Sequence, residues 1–171
     1  MLAEVFFGTH KERGFTPADD GVWDPEPKGA NDKARSMDVY GTGNEPWFFT
    51  TEADAGAFSI EVVTGPDAEK GGFVNLVSWV HSLREVAEIY QKVHPDAKVE
   101  IVEKGSVEEL EKKAVAGREK WGRSKFWEYH RLFFQLFTIQ GTWNLGKLDN
   151  DRYPGVKATS LEQFLKENPN I

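Results

Sequence analysis

The sequence predicts an α/β protein with few strands and several helices, whose sheet is too small to be a complete doubly wound one. Three observations carry this. Helix starts alternate with strand-like runs from Thr51 onward. Ser82, Ser106 and Ser160 each stand three residues before a Glu or Gln, the spacing of a capping box. Strand character is confined to short runs at 2–7, 38–40, 72–78 and 98–103. That order fits α/β or α+β.

Taken in order, Leu2-Ala-Glu-Val-Phe-Phe7 reads as a short strand. Residues 14–38 hold Gly, Pro, Asp and Asn without a sustained period and read as a long irregular segment, pinned by Trp23, Met37 and Val39. Thr51 followed by Asp54 opens a helix. Ala53, Ala57, Ile60 and Val63 give it an apolar stripe, and Gly65-Pro66 ends it. Gly72 to Ser78 reads as a strand. The Ser82-Leu-Arg-Glu85 box starts a helix with a stripe of Leu83, Val86, Ile89, Tyr90 and Val93, closed by Pro95. Lys98 to Glu103 alternates as a strand does. Ser106-Val-Glu-Glu109 caps a helix whose Glu108/Lys112 and Glu109/Lys113 pairs mark a solvated face. Phe126 to Ile139 is apolar nearly all round, which predicts a helix buried on most sides or covered by another chain. Ser160-Leu-Glu-Gln163 opens a short terminal helix.

Charge and composition exclude several functions. The formal charge is −7, and an acidic chain without a basic run is expected to avoid nucleic acid and anionic membranes. With no cysteine, disulfides and thiolate chemistry are absent. No apolar run reaches membrane-spanning length, and the start of the sequence lacks the basic residues of a secretory signal, so a cytoplasmic protein is expected. The 12 Phe and 6 Trp supply either a thick core or a pocket for a flat organic ligand.

Two motifs are decoys. Gly41-Thr-Gly43 would need a third glycine at position 46 to be a dinucleotide fingerprint, and that residue is Pro46, so the segment reads as a turn. Tyr153 and Lys157 have the spacing of a catalytic Tyr–Lys pair, but Pro154-Gly155 denies them a helix. Asp19, Asp20, Asp24 and Glu26 lack calcium-loop spacing and read as a solvated acidic loop. Of four histidines, His81 precedes a helix cap and His94 sits in a last helical turn, where its ring complements the dipole. His10 follows Phe6-Phe7-Gly8 at a strand end, and His130 lies among aromatics, so these two are the candidate acid/base groups.

Three segments together resemble a known family: Tyr40-Gly-Thr-Gly-Asn-Glu-Pro-Trp-Phe-Phe-Thr-Thr-Glu-Ala-Asp-Ala-Gly-Ala-Phe58, Phe133-Phe-Gln-Leu-Phe-Thr-Ile-Gln-Gly-Thr-Trp-Asn-Leu145, and Tyr153-Pro-Gly-Val-Lys-Ala-Thr-Ser-Leu-Glu-Gln-Phe-Leu165. Their order and spacing resemble the C-terminal, substrate-side part of fungal NmrA-like proteins, which include isoflavone reductase-like enzymes. The resemblance spans about three quarters of the chain. It implies a partial Rossmann-type fold and divides the chain into an N-terminal strand and loop, 1–45, and a substrate-binding region, 46–171. Phe6-Phe7-Gly8 is similar to the family's Asn-Gly-Phe-Phe segment, with Glu4-Val5 in place of Asn-Gly.

The resemblance implies a pocket between the Phe6–Arg13 segment and the aromatic helix. His10 is then the preferred acid/base and His130 the second, with Phe6, Phe7, Trp23, Trp127, Phe133 and Phe134 as apolar walls. The family's glycine fingerprint has no counterpart here, so no residue is assigned to a cofactor, and NADPH is expected only where a Rossmann-type partner supplies its site. Three functions remain open. One is a cofactor-free isomerase, cyclase or dehydratase of fungal specialised metabolism acting on a small aromatic or polyketide-like substrate. Another is a non-enzymatic regulatory module. The third is a split reductase that needs a dinucleotide-binding chain. A homodimer or partner chain is expected under each.

Overall fold

The computed structural model describes residues 1–9, 22–24 and 34–171. The predicted candidate His10 lies outside these, as do Lys11–Arg13 and most of the acidic loop.

The elements run α1 (Ala3–Phe7), β1 (Trp23–Asp24), β2 (Ala34–Tyr40), β3 (Trp47–Phe49), α2 (Glu52–Thr64), β4 (Trp79–His81), α3 (Leu83–Val93), β5 (Lys98–Gly105), α4 (Val107–Trp121), α5 (His130–Ile139) and α6 (Leu161–Glu167). Three strands make one sheet in the order β1-β2-β5, with β1 antiparallel and β5 parallel to β2. The parallel pairing joins Ala34 to Lys98 and Asp38 to Val102, so residues on both sides of position 45 share one sheet. A parallel pair needs a long crossover, and the β3–α2–β4–α3 stretch supplies it. Strands β3 and β4 form a separate antiparallel pair, Trp47 opposite His81. The architecture is mixed α/β with few strands in open sheets, as the sequence predicts.

Local chemistry explains the helices that were foreseen. Ser82 and Ser106 accept from the N–H of Glu85 and Glu109, and each glutamate returns a bond to the cap N–H, at 2.7 and 2.8 Å. Ser160 makes half a box: it accepts from Gln163 N–H, while the Gln163 amide turns away to Glu167. Thr51 caps α2 through the N–H of Asp54. The Gly41-Thr-Gly43 turn holds φ of 69° and 72° at its two glycines, and the Tyr153–Lys157 segment is not helical.

Five expectations are corrected. The segment 14–38, expected to be irregular, contains paired strand: Trp23–Asp24 is β1, and residues 34–38 belong to β2, the central strand of the sheet. Residues 2–7 are not a strand: Leu2 makes a single parallel bridge to Thr50, and the chain then winds into α1. In a strand, Phe6 and Phe7 would face opposite ways. A helical turn sends both into one core, Phe6 onto Trp47 and Phe49, Phe7 onto Trp23 and Phe164. Residues 72–77 are not a strand, because their hydrogen bonds go to the segment 145–150, backbone and side chain, instead of a neighbouring strand. Asn75 N–H donates to Asp149, Val77 N–H to Asn150, and Asn150 donates back to the Val77 carbonyl. Helix α2 buries Asp54 and Phe58, and the predicted stripe residues Ile60 and Val63 are exposed. Finally, Phe126 does not open a long helix. Gly122, at φ 61°, stops α4; Arg123–Glu128 make tight 3-10 turns broken at Lys125; α5 begins only at His130.

Among the described residues the core has two parts. The larger joins Phe6, Phe7, Trp23, Met37, Trp47, Phe49, Trp79, Val86, Tyr90, Phe164 and Leu165 from seven elements, the helices α1, α3 and α6 and the strands β1 to β4. The smaller lies where α4 and α5 close on the end of β2, around Tyr40, Leu110 and Leu136. Gly117 permits that closure: a Cβ there would meet the Tyr129 Cβ at 2.8 Å.

Candidate ligand-binding site

Two clefts flank α5. The first, about 220 Å³, is lined by Trp47, Phe48, Val77, Phe134, Thr138 and Trp143, together with Met1, Thr50, Asn144 and Leu145. The chain builds it in three steps. The sequence after α5 ends the helix sharply: Gly141 takes a left-handed φ of 72°, and the N–H groups of Gly141 and Thr142 return to the carbonyls of Thr138 and Phe137. That reversal folds Trp143 back on its own helix, its ring 4.5 Å from Phe134 and 5.8 Å from Phe137, both edge-on. The opposite wall is β3, where Trp47 is stacked on Phe49 and lies 6.3 Å from Phe134.

The third wall is held by an asparagine–aspartate clasp. Asn75 donates to the carbonyls of Leu145 and Lys147, and Asp149 accepts from the Asn75 N–H at 3.0 Å and from Arg152 at 3.2 Å. Those bonds, the Asn75 N–H first and the Arg152 guanidinium next, hold the Asp149 carboxyl below the ordinary carboxylate range. Leu145, Val77 and Asn144 are thus fixed beside the rings. Apart from the Met1 thioether, two hydroxyls and one amide, the lining side chains are aromatic or aliphatic, the composition of a site that holds a neutral planar molecule. A cavity of roughly 150 Å³ accepts one benzene ring. The cleft exceeds that, so one ring or two fused rings fit.

The second cleft, about 330 Å³, opens at the carboxyl end of the parallel pair and is polar. Lys104 bridges to Asp38 at 3.1 Å across β2 and β5, while Arg131 and Gln135 face it from α5, and Trp23 forms part of its floor. The carboxyl edge of parallel strands is where open α/β sheets bind ligands.

The predicted site residues do not converge. Phe134 lines the aromatic cleft and Trp23 the polar one. Phe6 and Phe7 are sealed in the core. Phe133 packs between Tyr129 and Phe137 under the Arg118 guanidinium. Trp127 is 77% exposed, and His130 stands beside it, its Nδ1 3.1 Å from the Trp127 carbonyl. Neither lines either of these two clefts. Trp47 and Trp143 were missed as wall residues. For Trp143 the only signal was Gly141, just past the end of an apolar run, with the tryptophan two residues on; Trp47 had none of this kind. Among the described residues no group of three or more His, Asp or Glu is placed to hold a metal, and no helix is long and apolar enough to cross a membrane.

The fold has solved counterparts. AtPrR2 in its apo form aligns with 82% of this chain at 19% identity and a TM-score of 0.57. An isoflavone reductase aligns with 78% at 21% identity and a TM-score of 0.58. A nucleoside-diphosphate-sugar epimerase from Staphylococcus aureus aligns with 77% at 16% identity and a TM-score of 0.51. The chain has the fold of part of this reductase and epimerase group. It spans 44%, 43% and 43% of the lengths of those three proteins. No family profile matches the sequence, and no curated protein does.

Proposed function

We propose that this chain is a small-molecule-binding unit corresponding to the substrate side of an isoflavone reductase-like protein, and that the cleft between α5 and β3 takes a neutral aromatic ligand of one or two fused rings. One observation carries the reading. Phe134 and Trp143 stand edge-on at the end of α5, facing Trp47, with Thr50, Thr138 and Asn144 as the hydrogen-bonding groups at hand. Planar polyketide-like and phenolic metabolites have this chemistry. Binding is the function proposed. Isomerisation, dehydration or cyclisation at this cleft needs an acid/base group; apart from the Met1 ammonium, which donates to the Phe48 carbonyl, its lining groups are thioether, hydroxyl, amide, aromatic and aliphatic.

A second reading is favoured by the alignment to less than half the length of each reductase-like structure. In it the chain is the substrate side of a reductase whose hydride comes from a separate dinucleotide-binding unit. The test is fluorescence titration with 7-hydroxycoumarin, and separately with NADPH. Saturable coumarin binding, lost in Trp143→Ala at an unchanged melting temperature, is expected. Binding unaffected by Trp143→Ala overturns the site. Tight NADPH binding by the chain alone overturns the division of labour.

A further inference from the structure

The charge of the chain is not spread evenly. Residues 118–128 hold four of its 21 cations, Arg118, Lys120, Arg123 and Lys125, and two of its 28 carboxylates, Glu119 and Glu128, so this stretch is +2 in a protein of −7. All four cations are exposed. They are interleaved with rings. The Lys120 and Lys125 ammoniums lie over the Trp121 ring at 4.5 and 4.6 Å, one before the helix stop at Gly122 and one after it. The break at Lys125 then turns Phe126 and Trp127 outward, 47% and 77% exposed, with their rings 5.5 Å apart. No core cluster claims these two residues.

We propose that this turn between α4 and α5 is a docking surface for an anionic lipid headgroup layer, with Trp127 and Phe126 entering the interface and Lys120, Lys125, Arg118 and Arg123 facing the headgroups. The chemistry on both sides matches. Tryptophan favours the membrane–water boundary because its ring is apolar and its N–H is not. Each lysine or arginine near an anionic surface adds about fivefold to partitioning. The overall negative charge does not forbid the approach. Screening confines these forces to roughly 8 Å at physiological salt, so carboxylates on remote faces contribute little once the basic turn is in contact. A nucleic acid is the poorer fit, since its binding asks for an extended basic track and this patch is one compact turn.

The experiment is sedimentation of the full chain with phosphatidylcholine vesicles, with or without one part in three of phosphatidylserine. Alongside it run tryptophan emission and a polyglutamate competitor. Expected are binding to the anionic vesicles only, a blue shift of emission, and release by salt. Trp127→Ser should remove most of the blue shift, and Lys120→Gln with Lys125→Gln should weaken partitioning roughly 25-fold, with melting curves unchanged because all three side chains contact solvent. Equal binding to both vesicle types, or none to either, overturns the proposal. So does retention of binding in the variants. Tight binding of polyglutamate without vesicle binding makes the surface a protein-docking site. Self-association abolished by Trp127→Ser makes it a contact between copies. Either result overturns the lipid assignment.

Discussion

The larger core and the turn before α5 contain nearly the same aromatic packing and have opposite fates. In the core, Phe6 meets Phe49 at 5.2 Å, Phe7 meets Trp23 at 5.4 Å, and Trp23 meets Tyr90 at 4.8 Å. In the turn, Phe126 meets Trp127 at 5.5 Å, and Trp127 meets His130 at 5.0 Å. Ring geometry does not separate them. What differs is the number of elements closing around the rings. The core rings are enclosed by α1, α3, α6 and two sheets, and Phe6 and Phe49 are wholly buried; the turn has α4 and α5 behind it and solvent in front. Ring–ring contact adds about 0.5–1.5 kcal/mol beyond burial, so burial decides which region carries stability.

The largest test of that contrast is Phe49→Ala. Phe49 touches Phe6, Trp47 and Trp79 and has no exposed surface. Its truncation should cost about 3–5 kcal/mol, measured by urea denaturation. A cost near that of a surface substitution would mean the core is loosely packed. Second is Asp54→Ala. The buried Asp54 carboxylate accepts from Ser78 Oγ at 2.5 Å, Thr159 N–H at 2.8 Å and Thr159 Oγ1 at 3.0 Å, tying α2 to the approach to β4 and to the segment before α6. Removing it strands three donors and should cost about 2–3 kcal/mol.

This junction also shows where the sequence could be read and where it could not. The caps at Ser82 and Ser106 were legible because donor and acceptor lie three residues apart. The face of α2 was not. Its anchor is a polar residue, Asp54, whose partner Thr159 is 105 residues away, while the apolar Ile60 and Val63 that suggested a buried stripe lie in solvent. Residues 72–77 failed for the same reason, since their partners Asp149 and Asn150 are distant in sequence. Of the binding cleft, Phe134 was legible as part of an apolar helix. Trp143 was signalled only by the glycine at 141, and the reversal there that places its ring is made by backbone bonds to Thr138 and Phe137.

Cap removal comes third. Ser82→Ala and Ser106→Ala should each cost about 1 kcal/mol, a fall of roughly 2–4 °C in Tm for a chain of this size. Ser160→Ala should cost less, since its box is half made. Equal losses at all three would mean that the reciprocal glutamate bond adds nothing.

Smaller still is the effect of acid. His94 closes α3 with its Nε2 buried and unbonded, its ring 4.6 Å from Tyr90. Burial first, and the nearby Arg35 charge second, hold its pKa below the ordinary 6.5. The unfolded chain therefore takes up a proton more readily than the folded one. The stability tied to neutral His94 is complete above pH 6.5 and declines as pH falls below it toward the depressed value. His94→Gln should flatten the Tm profile in that window and leave it unchanged at higher pH.

The smallest expected change is the sharpest test of the comparison. Trp127→Ser removes the bulk of a tryptophan from a cluster whose ring distances match those of the core. If aromatic contact by itself stabilised this protein, the variant would resemble Phe49→Ala. Because Trp127 is 77% exposed in the folded state, little apolar surface returns to water when it is lost. The change in unfolding free energy should stay within about 0.5 kcal/mol. Binding of 7-hydroxycoumarin should also be unchanged, since Trp127 does not line the cleft of Phe134 and Trp143. A loss above about 2 kcal/mol would show that the turn is covered in solution, by a second copy or by chain outside the described residues, and that its exposure does not describe the working protein.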